Sequence, residues 1–548
     1  MTSHNDAVTI LDLLTKGDRD YGDRTALVVD GDRETYSQLL ASCLGVARGL
    51  AGLGVKPGER VGILMHNSLD LLHVLFGCSL ARATAVPINS RLSPRELAYV
   101  ITDAGMTALT VGDHAAEHSD LVARVSEALP GLAGAAPGEQ GHSSVAPALR
   151  TTILFGTTTS PGFITPAALA SAADRVDASE LLAAAAAVDP EDPYMMLYTS
   201  GTTANPKGCV LPFRSIIKTG IAAGRTNFGT TSADRLWNPL PMFHVSAQAP
   251  LTGVLDAGGA YISTLHFDGG TALSQIEAEQ ATILYPAYPA IMQPLISDQE
   301  KSAVALASVR AVLNVGPPDL LEKFQNALPP AAIQVSCYGS TECGGVAVMG
   351  RVSDPLADRL TSGKALDGIE MQIRDMFTTK QLPPGEKGVI WLRGYNLFQH
   401  YHNDENKTAE VFDAEGWYNT GDLGKVDVAG NLTFLGRTKD MLKVGGENVA
   451  AVEIESYLVT HPAVLLAAVV GKSDPRLDEV PVAFVELAPD AGVTMDDLLG
   501  YCRKGLARFK VPREIYAITK WPMSSTKIQK YRLKEQLEAG EFSSPGAG

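Results

Sequence analysis

Residues 198–208 read YTSGTTANPKG. Thr199, Ser200, Gly201, Thr202, Thr203, Pro206, Lys207 and Gly208 stand together in this one short run. The apolar residues Met195, Met196 and Leu197 lead in, and Val210 and Leu211 lead out. The pattern predicts a strand, a loop, then a second strand or a helix start. Small residues let a backbone come close to an anion. Hydroxyls and backbone N–H groups can then surround phosphate oxygens, with Lys207 adding positive charge. The phosphate loop of nucleoside triphosphatases requires Lys followed by Ser or Thr at a helix start. Here Gly208 follows Lys207, so that loop is excluded. A run of Ser, Thr and Gly alone would also fit an ordinary polar turn.

Outward from this stretch, 548 residues are too many for one compact core, so at least two domains are expected. Hydrophobic residues make up 45% and charged residues 19%, the balance of a globular protein. A net charge of −16 argues against nucleic acid as a bulk partner, while a small anionic ligand needs only a local positive site. The six cysteines, Cys43, Cys78, Cys209, Cys337, Cys343 and Cys502, form no Cys-x-x-Cys pair. They read as free thiols in a reducing cytoplasm rather than as a redox or zinc motif. The opening MTSHNDAVTI lacks a basic region followed by an apolar core, so no signal peptide is expected. No apolar run approaches the length of a membrane span, and no internal repeat is visible.

Residues 24–110 alternate β-rich runs with helical patterns. VGILM at 61–65 predicts a buried strand, 69–81 a helix, and Ala85-Val86-Pro87 a strand end. Such alternation implies a parallel sheet covered by helices. Residues 130–190 are rich in Ala, Gly, Pro and Ser. LPGLAGAAPGEQGHSSVAP reads as a surface loop or insertion, and LLAAAAAVDPEDP as a helix end leading to the 198–208 loop. Alternation resumes over 236–345.

Three further stretches carry chemistry. In Cys337-Tyr338-Gly339-Ser340-Thr341-Glu342 the aromatic can stack on a purine and the hydroxyl can hold a phosphate oxygen. The carboxylate can bind the Mg²⁺ that neutralises a triphosphate. In Trp417-Tyr418-Asn419-Thr420-Gly421-Asp422 a carboxylate after Gly can accept both hydrogen bonds of a ribose diol, although Gly-Asp is also a common turn dipeptide. Residues 436–449, GRTKDMLKVGGENV, combine charges with a glycine turn. Residues 450–535 then read as a compact α/β unit: a helix at 452–458 and strands at 464–470 and 481–487. His244, in LWNPLPMFHVSAQ, would ordinarily be a core histidine.

Taken in this order, the motifs resemble the adenylate-forming superfamily: acyl-CoA synthetases, adenylation domains of peptide synthetases, and luciferases. The resemblance covers almost the whole chain and is nearest to acid–CoA ligases. The chain departs from the family at Ala204 and Thr526, where Gly is usual, and at Gly316-Pro317-Pro318, where Gly-Gly-Ala-Pro is usual. The resemblance implies an α/β fold. A large N-terminal domain (1–436), built of α/β subdomains and a small β-barrel-like part, would precede a small mobile α+β C-terminal domain (437–548). The hinge would lie at Lys439.

It also implies roles. Thr199, Ser200, Gly201, Thr202, Thr203 and Lys207 would hold phosphates, and Gly316, Tyr338, Gly339, Ser340 and Thr341 the adenine and α-phosphate. Asp422 and Arg437 would hold the ribose. Glu342 and Thr202 would bind Mg²⁺. His244, Ser246, Val315, Cys343 and Gly344 would line an apolar acid pocket, left open at the Cys343–Gly344 wall by small side chains. Lys527 would be the catalytic lysine of the first half-reaction, and Thr202, Glu342, His244 and Lys443 would also belong to the catalytic set. Lys443, Gly445, Gly446 and Glu447 would serve the second. The implied reaction joins a carboxylic acid to CoA at the expense of ATP, through an acyl-adenylate. The alternatives are an adenylating enzyme that passes its acyl group to a carrier-protein thiol or an amine, and a non-catalytic nucleotide-binding protein. The partners would be small molecules, and a homodimer is open to such a chain.

Overall fold

The computed structural model describes residues 7–117, 119–199, 206–297, 299–445, 447–489, 491–523 and 528–542. A seven-stranded sheet carries the 198–208 stretch. Its order is Thr151–Phe155, Met106–Gly112, Arg60–Leu64, Thr84–Pro87, Pro193–Thr199, Lys207–Pro212, His400–Tyr401. The first five strands run parallel, and the last two join antiparallel. Every residue of Met106–Gly112 is buried, as expected of a parallel strand covered on both faces. The expected strand at 61–65 is Arg60–Leu64, and the expected helix is Leu69–Leu80, started by the Ser68 hydroxyl accepting the Leu71 N–H.

A second seven-stranded sheet runs Ile333–Val335, Ala311–Asn314, Ile283–Ala287, Arg235–Trp237, Ala260–Ser263, Thr25–Val29, Asp32–Thr35. All its pairings are parallel except the last. The barrel-like part takes the form of an open antiparallel sheet of four strands, Ile369–Arg374, Gly388–Gly394, Tyr418–Val426 and Leu432–Arg437. One large apolar cluster runs through these parts, from Ile10 and Leu27 to Leu392 and Leu432.

The C-terminal residues build a separate sheet from Glu447–Ala450, Met441–Val444, Asp478–Leu487, Val464–Asp474 and Glu514–Ala517. It has its own apolar cluster on each face. Ile454, Leu458, Val485 and Leu498 form one, and Val470, Phe484, Leu533 and Leu537 the other. A unit with its own core is a separate domain in the physical sense.

The helix end expected before the 198–208 loop is there, as the end of Ala178–Ala185, but the rest of the reading of 130–190 needs correction. Thr151–Phe155 is a fully buried edge strand paired with Met106–Gly112, and it is followed by helices Pro166–Ala173 and Ala178–Ala185. Nor does LPGLAGAAPGEQGHSSVAP lie wholly on the surface. Leu132, Ser143 and Ala146 are buried. Gly162, at φ +86°, lets Leu132 pack against it: a Cβ there would lie 2.5 Å from the Leu132 carbonyl oxygen. Glycine here serves close backbone packing, so composition averaged over the region misread it.

Candidate active site

The strands that flank the 198–208 stretch, Pro193–Thr199 and Lys207–Pro212, pair antiparallel. Tyr198 pairs with Gly208 and Thr199 with Lys207. Ser200, Gly201, Thr202, Thr203 and Ala204 lie outside the described residues, so Lys207 is the residue of the stretch whose charge can be placed. Gly208 is closely packed, since a Cβ would meet Met196 Sδ at 2.9 Å and His402 Cβ at 3.2 Å. The strand His400–Tyr401 lies along Lys207–Pro212, with Tyr401 opposite Cys209. That pairing brings Tyr401 and the turn after it to Lys207. The ammonium lies 3.5 Å from Asp404 Oδ2 and 5.7 Å above the centre of the Tyr401 ring.

The Tyr401 hydroxyl donates to Glu342 Oε1 at 3.0 Å. Glu342 sits in the single turn Thr341–Cys343, after the short strand Cys337–Tyr338. Tyr338 is buried. Its ring stacks on Phe434 at 5.8 Å and 28°, and its hydroxyl donates to Asp422 Oδ2 at 2.8 Å. Asp422 and Arg437 are register partners on neighbouring strands, with Asp422 Oδ1 3.3 Å from Arg437 Nε. Burial works to lower the Arg437 pKa, but Asp422, Asp440 and Glu342 outweigh it and raise it above the usual value. Lys439, in the turn Thr438–Asp440, is pushed the other way, by its own burial and by Arg437. Two charge groups therefore meet here: Lys207 with Glu342 through Tyr401, and Asp422 with Arg437 and Tyr338.

The turn after Glu342 is tightly packed. Cys343 is 1% exposed, and its sulfur accepts the Ser340 N–H at 3.0 Å. Burial pushes its thiol up to about 11. Gly344 has φ +67°, and a Cβ there would lie 2.4 Å from the Ser215 carbonyl oxygen. A Cβ on Gly339 would lie 2.1 Å from the Gly345 carbonyl oxygen. At Gly339 and Gly344 the space that a Cβ would fill is thus taken by backbone.

His244 is the N-cap residue of helix Val245–Asp256, with its ring centre 4.6 Å from that of Phe243. The Pro-rich segment before it is held from a distance. Asn67 donates to the Leu240 carbonyl at 3.1 Å and accepts the Met242 N–H at 2.8 Å. Ser246 follows on the same helix, half-buried. Val315 and Gly316 lie just past strand Ala311–Asn314, with Val315 exposed.

In the C-terminal sheet, Met441–Val444 and Glu447–Ala450 form a hairpin with Val444 opposite Glu447. Gly445 sits at φ +59°, and Gly446 lies outside the described residues. The Lys443 side chain is exposed, while its backbone N–H donates to Glu479 at 3.1 Å. Lys527 also lies outside the described residues. Lys530, the nearest described lysine after it, is 2.6 Å from Glu455.

Two residues of this site had no signal in the sequence. Tyr401 and Asp404 lie in FQHYHNDENK, where nothing marks them. Only the strand pairing that carries them to Lys207 does. No group of three or more His, Cys, Asp or Glu among the described residues could hold a metal. A lone carboxylate such as Glu342 nevertheless fits Mg²⁺, which usually takes one or two carboxylates with substrate phosphates.

Comparison with known proteins places the chain. The AMP-binding enzyme family matches residues 14–402, and its C-terminal domain matches residues 453–527. A putative acyl-CoA synthetase of Bacillus subtilis, YngI, is 31% identical over 525 residues, 94% of each chain. The mouse medium-chain acyl-CoA ligase ACSF2, described as mitochondrial, is 28% identical over 98% of this chain and 88% of its own. The crystal structure of the anthranilate CoA ligase AuaEII with anthranoyl-AMP superposes with a TM-score of 0.83 at 25% identity, covering 97% of this chain and 98% of that one. These relatives are a putative acyl-CoA synthetase and acid–CoA ligases, and the chain belongs to the AMP-binding enzyme family.

Proposed function

We propose that this protein is an ATP-dependent carboxylic acid–CoA ligase working through an acyl-adenylate. In the first half-reaction a substrate carboxylate attacks the α-phosphate of ATP, giving acyl-AMP and pyrophosphate. In the second, the CoA thiol displaces AMP. The observation that carries the reading is the meeting of Tyr338, Asp422 and Arg437 with Lys207 and Glu342 across one turn of chain.

Carboxylate and triphosphate repel each other, so positioning and charge neutralisation dominate the first half-reaction. Asp422 accepts from the ribose hydroxyls, steadied by Arg437 and by the Tyr338 hydroxyl. Phe434, exposed and stacked on the buried Tyr338, offers the adenine an aromatic surface with it. Lys207 and the hydroxyls of 199–203 meet the phosphates. Mg²⁺, held by Glu342 and Thr202, would neutralise phosphate charge. Lys527 bridges the carboxylate and the α-phosphate. The C-terminal domain, from residue 437, then turns about Lys439 and brings the Lys443–Glu447 hairpin to the site for thiol attack.

His244, Ser246 and Val315 line the acid pocket, which is apolar and leaves the acid open between aryl, cyclic and medium aliphatic classes. A cytoplasmic setting is part of this reading, supported by six cysteines that are all free and buried. Among the described residues no helix is long and apolar enough to cross a membrane. The test is pyrophosphate release across acids of graded length and ring size, followed by thioester formation with CoA. Release without thioester formation would transfer the proposal to an adenylating enzyme with another acceptor, and no release with any acid would defeat it.

A further inference from the structure

We propose that Asp404 holds Lys207 in a stand-by position that the phosphates of the nucleotide must displace. This rests on the reading of Lys207 as a phosphate contact. The Lys207 ammonium lies 3.5 Å from Asp404 Oδ2, with the Tyr401 ring 5.7 Å below it. Both contacts favour the ammonium in this position.

The carboxylate is held by its turn, and the ammonium sits at the end of a long flexible stem. Asp404 Oδ1 accepts the Lys407 N–H at 3.0 Å, capping helix Glu405–Val411. The turn that carries Asp404 is tied down on both sides. The His402 N–H donates to the Gly208 carbonyl at 2.7 Å, the Tyr401 N–H to Thr408 Oγ1 at 3.0 Å, and Asn403 Nδ2 to the Asp103 carbonyl at 3.2 Å. Asp103 also accepts the Tyr198 hydroxyl at 2.6 Å, so the turn and the end of strand Pro193–Thr199 share an anchor. The Lys207 backbone is paired with Thr199. The lysine side chain is a long flexible stem that can leave Asp404 for a phosphate oxygen without moving either backbone.

Asp404 therefore competes with the nucleotide for one cation. An anion that binds by displacing another loses whatever the resting pair contributed. The side chains of Lys207 and Asp404 are 20% and 39% exposed, so the pair is weak, and the loss is small and sensitive to salt.

The test is calorimetric titration of the full chain with a non-hydrolysable ATP analogue and Mg²⁺. Asp404→Asn keeps a good helix cap while removing the charge. It should bind the analogue about two- to fivefold more tightly than the wild type, and the gain should shrink in high salt. Lys207→Ala alone should bind more weakly than the wild type, and adding Asp404→Asn to it should give no gain. Unchanged or weaker binding by Asp404→Asn would overturn the stand-by contact and leave the ligase reading standing. So would an equal gain in both backgrounds, because Asp404 would then act directly on the nucleotide. If Lys207→Ala binds as tightly as the wild type, the phosphate role of Lys207 falls and the proposal with it. No binding by the wild type would overturn the ligase reading too.

Discussion

Glu342 shows how a single residue combines a legible part and a hidden part. Its place after Tyr338-Gly339-Ser340-Thr341 marks it in the sequence, because the whole motif lies within one turn. Its partner Tyr401 is invisible there: the two are 59 residues apart and meet only because His400–Tyr401 pairs with Lys207–Pro212. Asp422 and Arg437 are intermediate. A Gly-Asp turn means little alone, and register across two strands turns the pair into a fixed ion pair. Replacing Glu342 by Gln keeps the hydrogen-bond acceptor for Tyr401 but removes the charge. We expect the Mg²⁺ concentration for half-maximal pyrophosphate release to rise at least about tenfold. An unchanged Mg²⁺ requirement would remove Glu342 from the metal site.

At the scale of elements, the turn Cys343–Gly345 is held by what glycine permits. Gly344→Ala would place a Cβ at a left-handed φ and within 2.4 Å of a backbone oxygen. The cost should be about 2 kcal/mol or more, read as a lower unfolding midpoint, and a neutral substitution would mean the turn is looser than described. Helix Leu69–Leu80 makes a different demand. His73 lies 2.7 Å from the buried Glu34, and Asp70 is 2.9 Å from His114. Burial works to lower the His73 pKa, yet bonds to Asp70 and Glu34 raise it from 6.5 to about 9. A raised folded-state pKa contributes stability that is fully present below pH 6.5 and lost as pH rises through about 9. Wild-type stability should therefore fall across that window by on the order of 3 kcal/mol, and His73→Gln should flatten the profile. An equal pH slope in the variant would contradict the assignment. The elements legible in sequence were those with strong alternation, such as Arg60–Leu64 and Leu69–Leu80. Thr151–Phe155 escaped because five buried residues sat among loop-forming Gly and Pro, and only pairing with Met106–Gly112 distinguishes them from a loop.

At the scale of the molecule, one chain carries two sets of side chains that would have to use the same site in turn. The strand Leu432–Arg437 belongs to the open antiparallel sheet, and Met441–Val444 to the C-terminal sheet. The change of sheet falls at Thr438–Asp440, which holds Lys439. The order of motifs pointed to a large and a small domain, and each has its own apolar core; rotation of the second about Lys439 is part of the proposal. The most direct measurement assays the two half-reactions separately, pyrophosphate release for the first and CoA transfer from synthetic acyl-AMP for the second. Lys527→Ala should abolish the first by at least about a hundredfold and leave the second largely intact. Lys443→Ala should show the opposite bias, and Lys439→Pro, which fixes φ at the turn, should slow the step that needs rotation. Lys530, already paired with Glu455, should tolerate Ala in the first half-reaction. Equal damage to both half-reactions by Lys527→Ala, or loss of the first with Lys530→Ala instead, would contradict the account.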